Sequence, residues 1–180
     1  MFISTLLTPD ASRAQTSPLG QPSLGQFPTI IASNLADEQF TLPKDFQGDL
    51  NIVLIAFRME QQYDVDTWLP KVKEIVRENS TIRYYELPTI GGLWTLMRGQ
   101  IDNWMKAGIP DMNARKATIT LYTNTQNFRE PLLLPSEDRI YVLLVDKSGK
   151  VWWKSDGRYA DEKLASLKAA IQSAETTKIK

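Results

Sequence analysis

The sequence predicts an α/β domain: a central mixed sheet with helices on both faces and an N-terminal extension. Three observations carry this. "NIVLIAF" (Asn51–Phe57) is an aliphatic run without polar alternation, as suits a central strand covered on both sides. An amphipathic stretch follows each of the first two core strands, which implies parallel crossovers. "KSGK" then joins two strand-like runs near the end, "RIYVLLVD" (Arg139–Asp146) and "VWWKS" (Val151–Ser155), so an antiparallel hairpin makes the sheet mixed.

Residues 1–26 read as a possible truncated signal segment or a disordered linker. "MFISTLL" lacks a basic front and is too short for a signal core, yet "ASRAQ" offers a small-x-small cleavage pattern after Ala14. Two readings stand: a chain starting inside a longer signal peptide, which points to an exported or membrane-peripheral location, or a plain tail. "QTSPLGQPSLGQ" holds too little apolar area to fold alone. The domain is expected over 27–175, with a tail at 176–180.

Within it, Thr29–Ala32 and Gln39–Leu42 form an extension or hairpin. "DVDTWLPKVKEIVREN" (Asp64–Asn79) is helical, with Asp64 or Asp66 as N-cap and an apolar stripe of Trp68, Leu69, Val72, Ile75 and Val76. Pro70 is tolerated if it falls in the first turn. Thr81–Thr89 is the next strand. "GLWTLMRGQIDNWMKAG" (Gly92–Gly108) is a second helix, stopped by Gly108 and Pro110. "ATITLYT" (Ala117–Thr123) is an alternating strand, and Ala160–Ala174 an amphipathic closing helix. The order is that of thioredoxin-like domains.

Composition narrows the chemistry. The chain has no cysteine and no histidine. Thiol nucleophiles, disulfides, the usual zinc sites and His-based triads are therefore excluded. Formal net charge is zero, so no global field draws the chain to nucleic acid. No segment has the roughly 18 apolar residues that a transmembrane helix needs. "DVD" and "SEDR" lack calcium-loop spacing, and Gly91–Gly92 lacks a phosphate-loop pattern. No catalytic residue, cofactor or metal is expected.

"DFQGDLNIVLIAF" is similar to the segment that leads into the active site of peroxiredoxins and thioredoxin-like proteins. The stretches 93–123 and 139–163 resemble a thioredoxin-like family, the mitochondrial assembly factor of the F-type ATP synthase membrane sector. The resemblance spans roughly 45–162. Its matching positions include Trp104, Ile109, Pro110, Asp111, Arg115, Tyr141, Asp146, Gly149, Trp153 and Gly157. Trp152 stands where the family tends to have Arg, and Lys154 and Ser155 replace small residues. The resemblance implies a non-enzymatic chaperone or assembly role, with a membrane-complex subunit as protein partner. The alternatives are a thioredoxin-fold scaffold or non-thiol accessory of an envelope redox system, and a soluble domain with another binding role.

Three constellations are candidates for that binding. On the thioredoxin-like alignment the redox positions fall near Gln62 and Val65, which cannot form a thiolate. Arg58, Glu60, Gln62 and Tyr63 then form either a recognition surface or an ordinary solvated loop. In the Trp/Met helix, Leu93, Met97, Ile101 and Trp104 are expected in the core. Trp94 and Met105 at one edge, and Leu96 at the other, are expected to be exposed. In "VWWKSDG", alternation sends Trp152 and Trp153 to opposite faces. Trp153 is the core candidate. Trp152 is partner-facing unless helices cover both faces. Arg115 is a further candidate contact, from its place in the resemblance.

Overall fold

The computed structural model describes residues 23–178. Seven strands make one mixed sheet: β1 (Ile30–Asn34), β2 (Gln39–Leu42), β3 (Leu50–Ala56), β4 (Ile82–Ile90), β5 (Ile119–Tyr122), β6 (Tyr141–Asp146) and β7 (Val151–Asp156). Their order across the sheet is β2-β1-β5-β4-β3-β6-β7. β3 pairs parallel to β4, and β4 to β5, while β6, β7, β1 and β2 join antiparallel. The helices are α1 (Gln62–Glu78), α2 (Arg98–Gly108), α3 (Met112–Ala117), α4 (Thr125–Arg129) and α5 (Asp161–Lys178).

β3 is buried throughout because it has a core on each side. Ile52 and Leu54 face Val65, Trp68, Val72 and Ile75 of α1 and Leu167 and Ile171 of α5. Val53 and Ile55 face a second cluster that includes Phe27, Phe46 and Phe128. Those three rings meet edge to face, Phe27 lying 5.5 Å from Phe46 and 5.7 Å from Phe128. Trp68 locks the α1 side: its indole donates to the Gly157 carbonyl at 2.9 Å and meets Trp153 and Tyr159 edge-on. The N-terminal extension is a hairpin that widens the sheet. Asn34 makes its turn by accepting from the backbone N–H groups of Ala36 and Glu38.

Several boundaries move. α1 begins at Gln62, ahead of both aspartates expected as caps, because a 3-10 turn (Met59–Gln61) leads into it. Pro70 consequently lies inside the helix, where its missing N–H leaves the Asp66 carbonyl without a helical donor. Gln26, assigned to the linker, is anchored by its N–H to the Pro131 carbonyl at 2.8 Å. α5 runs on through Lys178, into the stretch assigned to a tail. The signal-like motif and the cleavage site after Ala14 lie outside the described residues.

The largest correction concerns Gly92–Gly108. It is a 3-10 segment (Gly92–Met97) followed by α2, and neither piece has a buried residue. Leu93 and Trp104, expected in the core, are 83% and 65% exposed; Met97 is exposed and Ile101 only half-buried. Met105, expected to be exposed, is half-buried with its sulfur 4.0 Å from the Thr120 hydroxyl. Two causes are visible. The 3-10 turn advances side chains by about 120° per residue, which breaks the assumed phase. The β5 face beneath α2 also offers Thr118, Thr120 and Tyr122, since Ile119 and Leu121 point into the opposite core.

Candidate functional site at the carboxyl end of the sheet

Three connections meet where β3 and β4 end and β6 begins. The β3–α1 turn leaves Ala56, the β4–α2 segment leaves Ile90, and the loop before β6 arrives at Tyr141, opposite Ile55. This is where the sequence placed a degenerate redox loop.

The β3–α1 turn is held by Gln61, which the sequence reading passed over. Its buried side-chain oxygen accepts from the N–H groups of Phe57 (2.8 Å) and Arg58 (3.3 Å). Its amide nitrogen donates to the Glu137 carbonyl at 2.7 Å. Arg58 adds an exposed ion pair to Asp138 at 2.7 Å. Gln61 carries no sequence signal beyond its type, because its partner lies 76 residues away.

Gln62 opens α1 on the surface, and Val65 is buried beneath it. The Gln62 amide nitrogen lies 2.9 Å from an Asp66 oxygen and 3.2 Å from one of Glu86. Glu86, on the half-buried face of β4, is the second residue not anticipated. Burial pushes its carboxyl above the usual range, against the Gln62 bond and the Lys73 charge. Burial, with the Glu86 charge adding to it, also pushes the Tyr84 phenol up to about 12, so it stays neutral. An amide held by two carboxylates offers no nucleophile.

Met59 and Tyr63 stand in solvent, 90% and 76% exposed. With Glu60 and Gln62 they line an open depression of about 470 Å³. Beyond the end of β4 stand Leu93, Trp94 and Leu96, also exposed. Arg58, Glu60, Gln62, Tyr63 and Trp94 thus occupy the ends of two adjacent parallel strands.

The remaining candidates do not join them. Arg115 is a helix cap: its guanidinium donates to the carbonyls of Ile109 and Lys106, both at 2.6 Å, closing the α2 C-terminus. Met105 faces β5. Trp152 is half-buried against the α1/α5 core, its indole donating to Asp146 at 2.8 Å and its ring covered by the Lys150 ammonium at 3.4 Å. A β-bulge overturns the alternation. Leu144 pairs with Trp153 and Val145 with Val151, so Trp152 is an extra residue, and both indoles pack toward one face.

Among the described residues, no three acidic side chains converge on a possible metal site. None of the described helices is long and apolar enough to cross a membrane.

No family model matches the sequence, and no curated protein does. Solved structures do. A pneumococcal exposed lipoprotein thioredoxin from Streptococcus pneumoniae is similar over 81% of this chain and 99% of its own, with TM-score 0.52 and 18% identity. A thiol:disulfide interchange protein from Bacteroides sp. is similar over 82% and 88%, with TM-score 0.54 and 15% identity. BsSco, a member of the Sco family of cytochrome c oxidase assembly proteins, is similar over 81% and 93%, with TM-score 0.55 and 13% identity. The fold is thioredoxin-like. At these identities the likeness concerns the frame, and the residues on it argue separately. No cysteine exists anywhere in the chain to perform thiol exchange.

Proposed function

We propose that this chain works by binding another protein, as a chaperone or assembly factor for a membrane protein complex. The resemblance to the F-type ATP synthase assembly-factor family makes that complex the first to test. One observation carries the binding reading: the segment between β4 and α3 contributes no buried side chain, yet holds out Leu93, Trp94, Leu96 and Trp104. Large apolar side chains grouped on one surface mark interaction sites more often than idle surface. BsSco supports the reading as a similar fold whose family is described as assembly proteins. Deleting the gene should lower the amount of assembled ATP synthase, and unchanged levels would count against that complex. Capture from solubilised membranes would name the partner.

A second reading is a scaffold within an envelope thiol–disulfide system, favoured by the fold shared with thiol:disulfide interchange proteins. Co-capture of oxidoreductases in place of membrane-complex subunits would select it.

A further inference from the structure

β4 outruns its neighbour β5. On one side its first residues, Ile82–Tyr85, pair with Leu50–Val53 of β3. On the other side β5 joins only from Glu86, which bridges Thr118, and then at Thr89 and Ile90. The short helix α3 lies against β4 where a longer β5 would run. This step leaves a notch of about 360 Å³. Both Tyr84 and Tyr85 line it, and successive strand residues point to opposite faces, so the notch straddles the sheet.

Two cations and three neutral donors line the notch. Arg83 comes from β4 and Lys116 from α3, while Gln47 and Asn113 add side-chain amides and Tyr84 a phenol that stays neutral. None of the described residues lining it is acidic. The carboxylates that act on Tyr84 and Lys116 are engaged elsewhere. Asp111 accepts from the N–H groups of Asn113 and Ala114, capping α3, and Glu86 accepts from Gln62. Glu38 accepts from the Asn34 amide at 2.8 Å and reaches Lys116 only at 4.0 Å. Arg83 donates from Nη1 to the neutral carbonyls of Ser80 and Ile82, both at 2.8 Å, which fixes its guanidinium beside the α1–β4 turn. A third cation, Lys73 of α1, stands 6.0 Å from the centre of the Tyr84 ring.

Cations backed by neutral donors suit an oxyanion. A planar carboxylate is satisfied by one in-plane fork. A phosphate group carries more charge and three acceptor oxygens, and so can use donors that arrive from several directions. Here they arrive from the loop before β3, from β4 and from α3. The volume falls at the small end of ligand sites, about 300–1,000 Å³. Val76 and Ala117 add an apolar wall for a compact organic body. We infer that the notch binds the phosphate group of a small phosphorylated molecule. Arg83 and Lys116 meet its charge, and Gln47, Asn113 and Tyr84 donate to its oxygens. This site lies at the amino end of β4 and stands independently of the binding reading above.

The test is a proton–nitrogen NMR titration of the full chain at constant ionic strength. The probes are inorganic phosphate, phenyl phosphate, succinate and a phosphoserine peptide. The expected result is saturable shifts at the amides of Gln47, Tyr84, Asn113 and Lys116, with phenyl phosphate binding at about millimolar or tighter and more tightly than inorganic phosphate. Arg83→Gln and Lys116→Gln should each weaken phenyl phosphate about fivefold or more. Circular dichroism and the urea midpoint report whether each variant folds. Lys116 has a side chain 55% exposed, so its variant tests the site even if Arg83→Gln unfolds. No saturation, an equal response to succinate, shifts confined to other surfaces, or folded variants that bind like the parent would overturn the inference. So would tighter binding of the phosphoserine peptide than of phenyl phosphate, which would make a modified protein the ligand.

Discussion

Gln61 donates its side-chain amide to the backbone carbonyl of Glu137 at 2.7 Å, tying the turn after β3 to the loop that enters β6. The same side chain accepts from two backbone N–H groups, so one buried amide satisfies three main-chain groups. Gln61→Ala should cost about 2–4 kcal/mol, since it orphans all three in a largely buried place. The check is the urea midpoint at an unchanged slope. A loss below about 0.5 kcal/mol would mean that water replaces the amide.

Glu86 gives a pH signature. Burial raises its folded-state carboxyl above the unfolded value. A group raised in this way contributes stability that is fully present below the unfolded value and is lost as pH rises through the folded one. The native chain therefore carries an unfavourable buried charge at neutral pH. Glu86→Gln should be more stable than the parent at pH 7, with the gap closing as pH falls from above the ordinary carboxylate value down to it. Thermal midpoints across that range decide it; a gap that widens in acid contradicts the assignment.

Trp152 holds the β6–β7 hairpin through Asp146 and Lys150. Trp152→Ala should destabilise the domain by about 1–3 kcal/mol, from a lost hydrogen bond to a carboxylate and a lost cation–π contact. It should leave capture of the partner from solubilised membranes unchanged. A variant of parental stability with weakened capture would return Trp152 to the interface.

A thiol can be restored where the frame would hold one. In Gln62→Cys the sulfur would open α1, whose N-terminus favours a thiolate by up to about 1 kcal/mol at an exposed position. Asp66 and Glu86 stand close and oppose it. Two like charges, one of them on the half-buried face of β4, outweigh the single helix terminus. Alkylation by iodoacetamide should be no faster than that of an unperturbed cysteine, and adding Glu86→Gln should speed it. Fast alkylation of the single variant would show that the helix terminus dominates.

The sheet was legible where burial leaves one solution. An unbroken aliphatic run such as Ile52–Ile55 fits only a strand covered twice, and the structure covers it twice. The hairpin at the chain end and the stripe of α1 follow equally local rules. Segment 92–108 was misread because the periodicity of a helix tells which side chains share a face, not what that face meets. Tyr122 and Asp37 decide the matter, and neither is near in sequence. Trp152 and Arg115 have intramolecular partners that the sequence did not reveal, for related reasons. A one-residue bulge cancels strand alternation without a mark of its own. An arginine that caps a helix six and nine residues back is indistinguishable in sequence from one that awaits a partner. At this end of the sheet the places of Gln62 and Tyr63 follow from the frame, whereas those of Gln61 and Glu86 depend on contacts that only folding creates.

The five tryptophans divide by environment. Trp68, Trp152 and Trp153 gather against the α1/α5 core, while Trp94 and Trp104 stand in solvent. The domain therefore contains its own pair of optical channels. Emission at the red edge, quenched readily by acrylamide, reports the outward surface. The shielded blue component reports the integrity of the core. Occupancy and unfolding can then be followed in one cuvette, without a label.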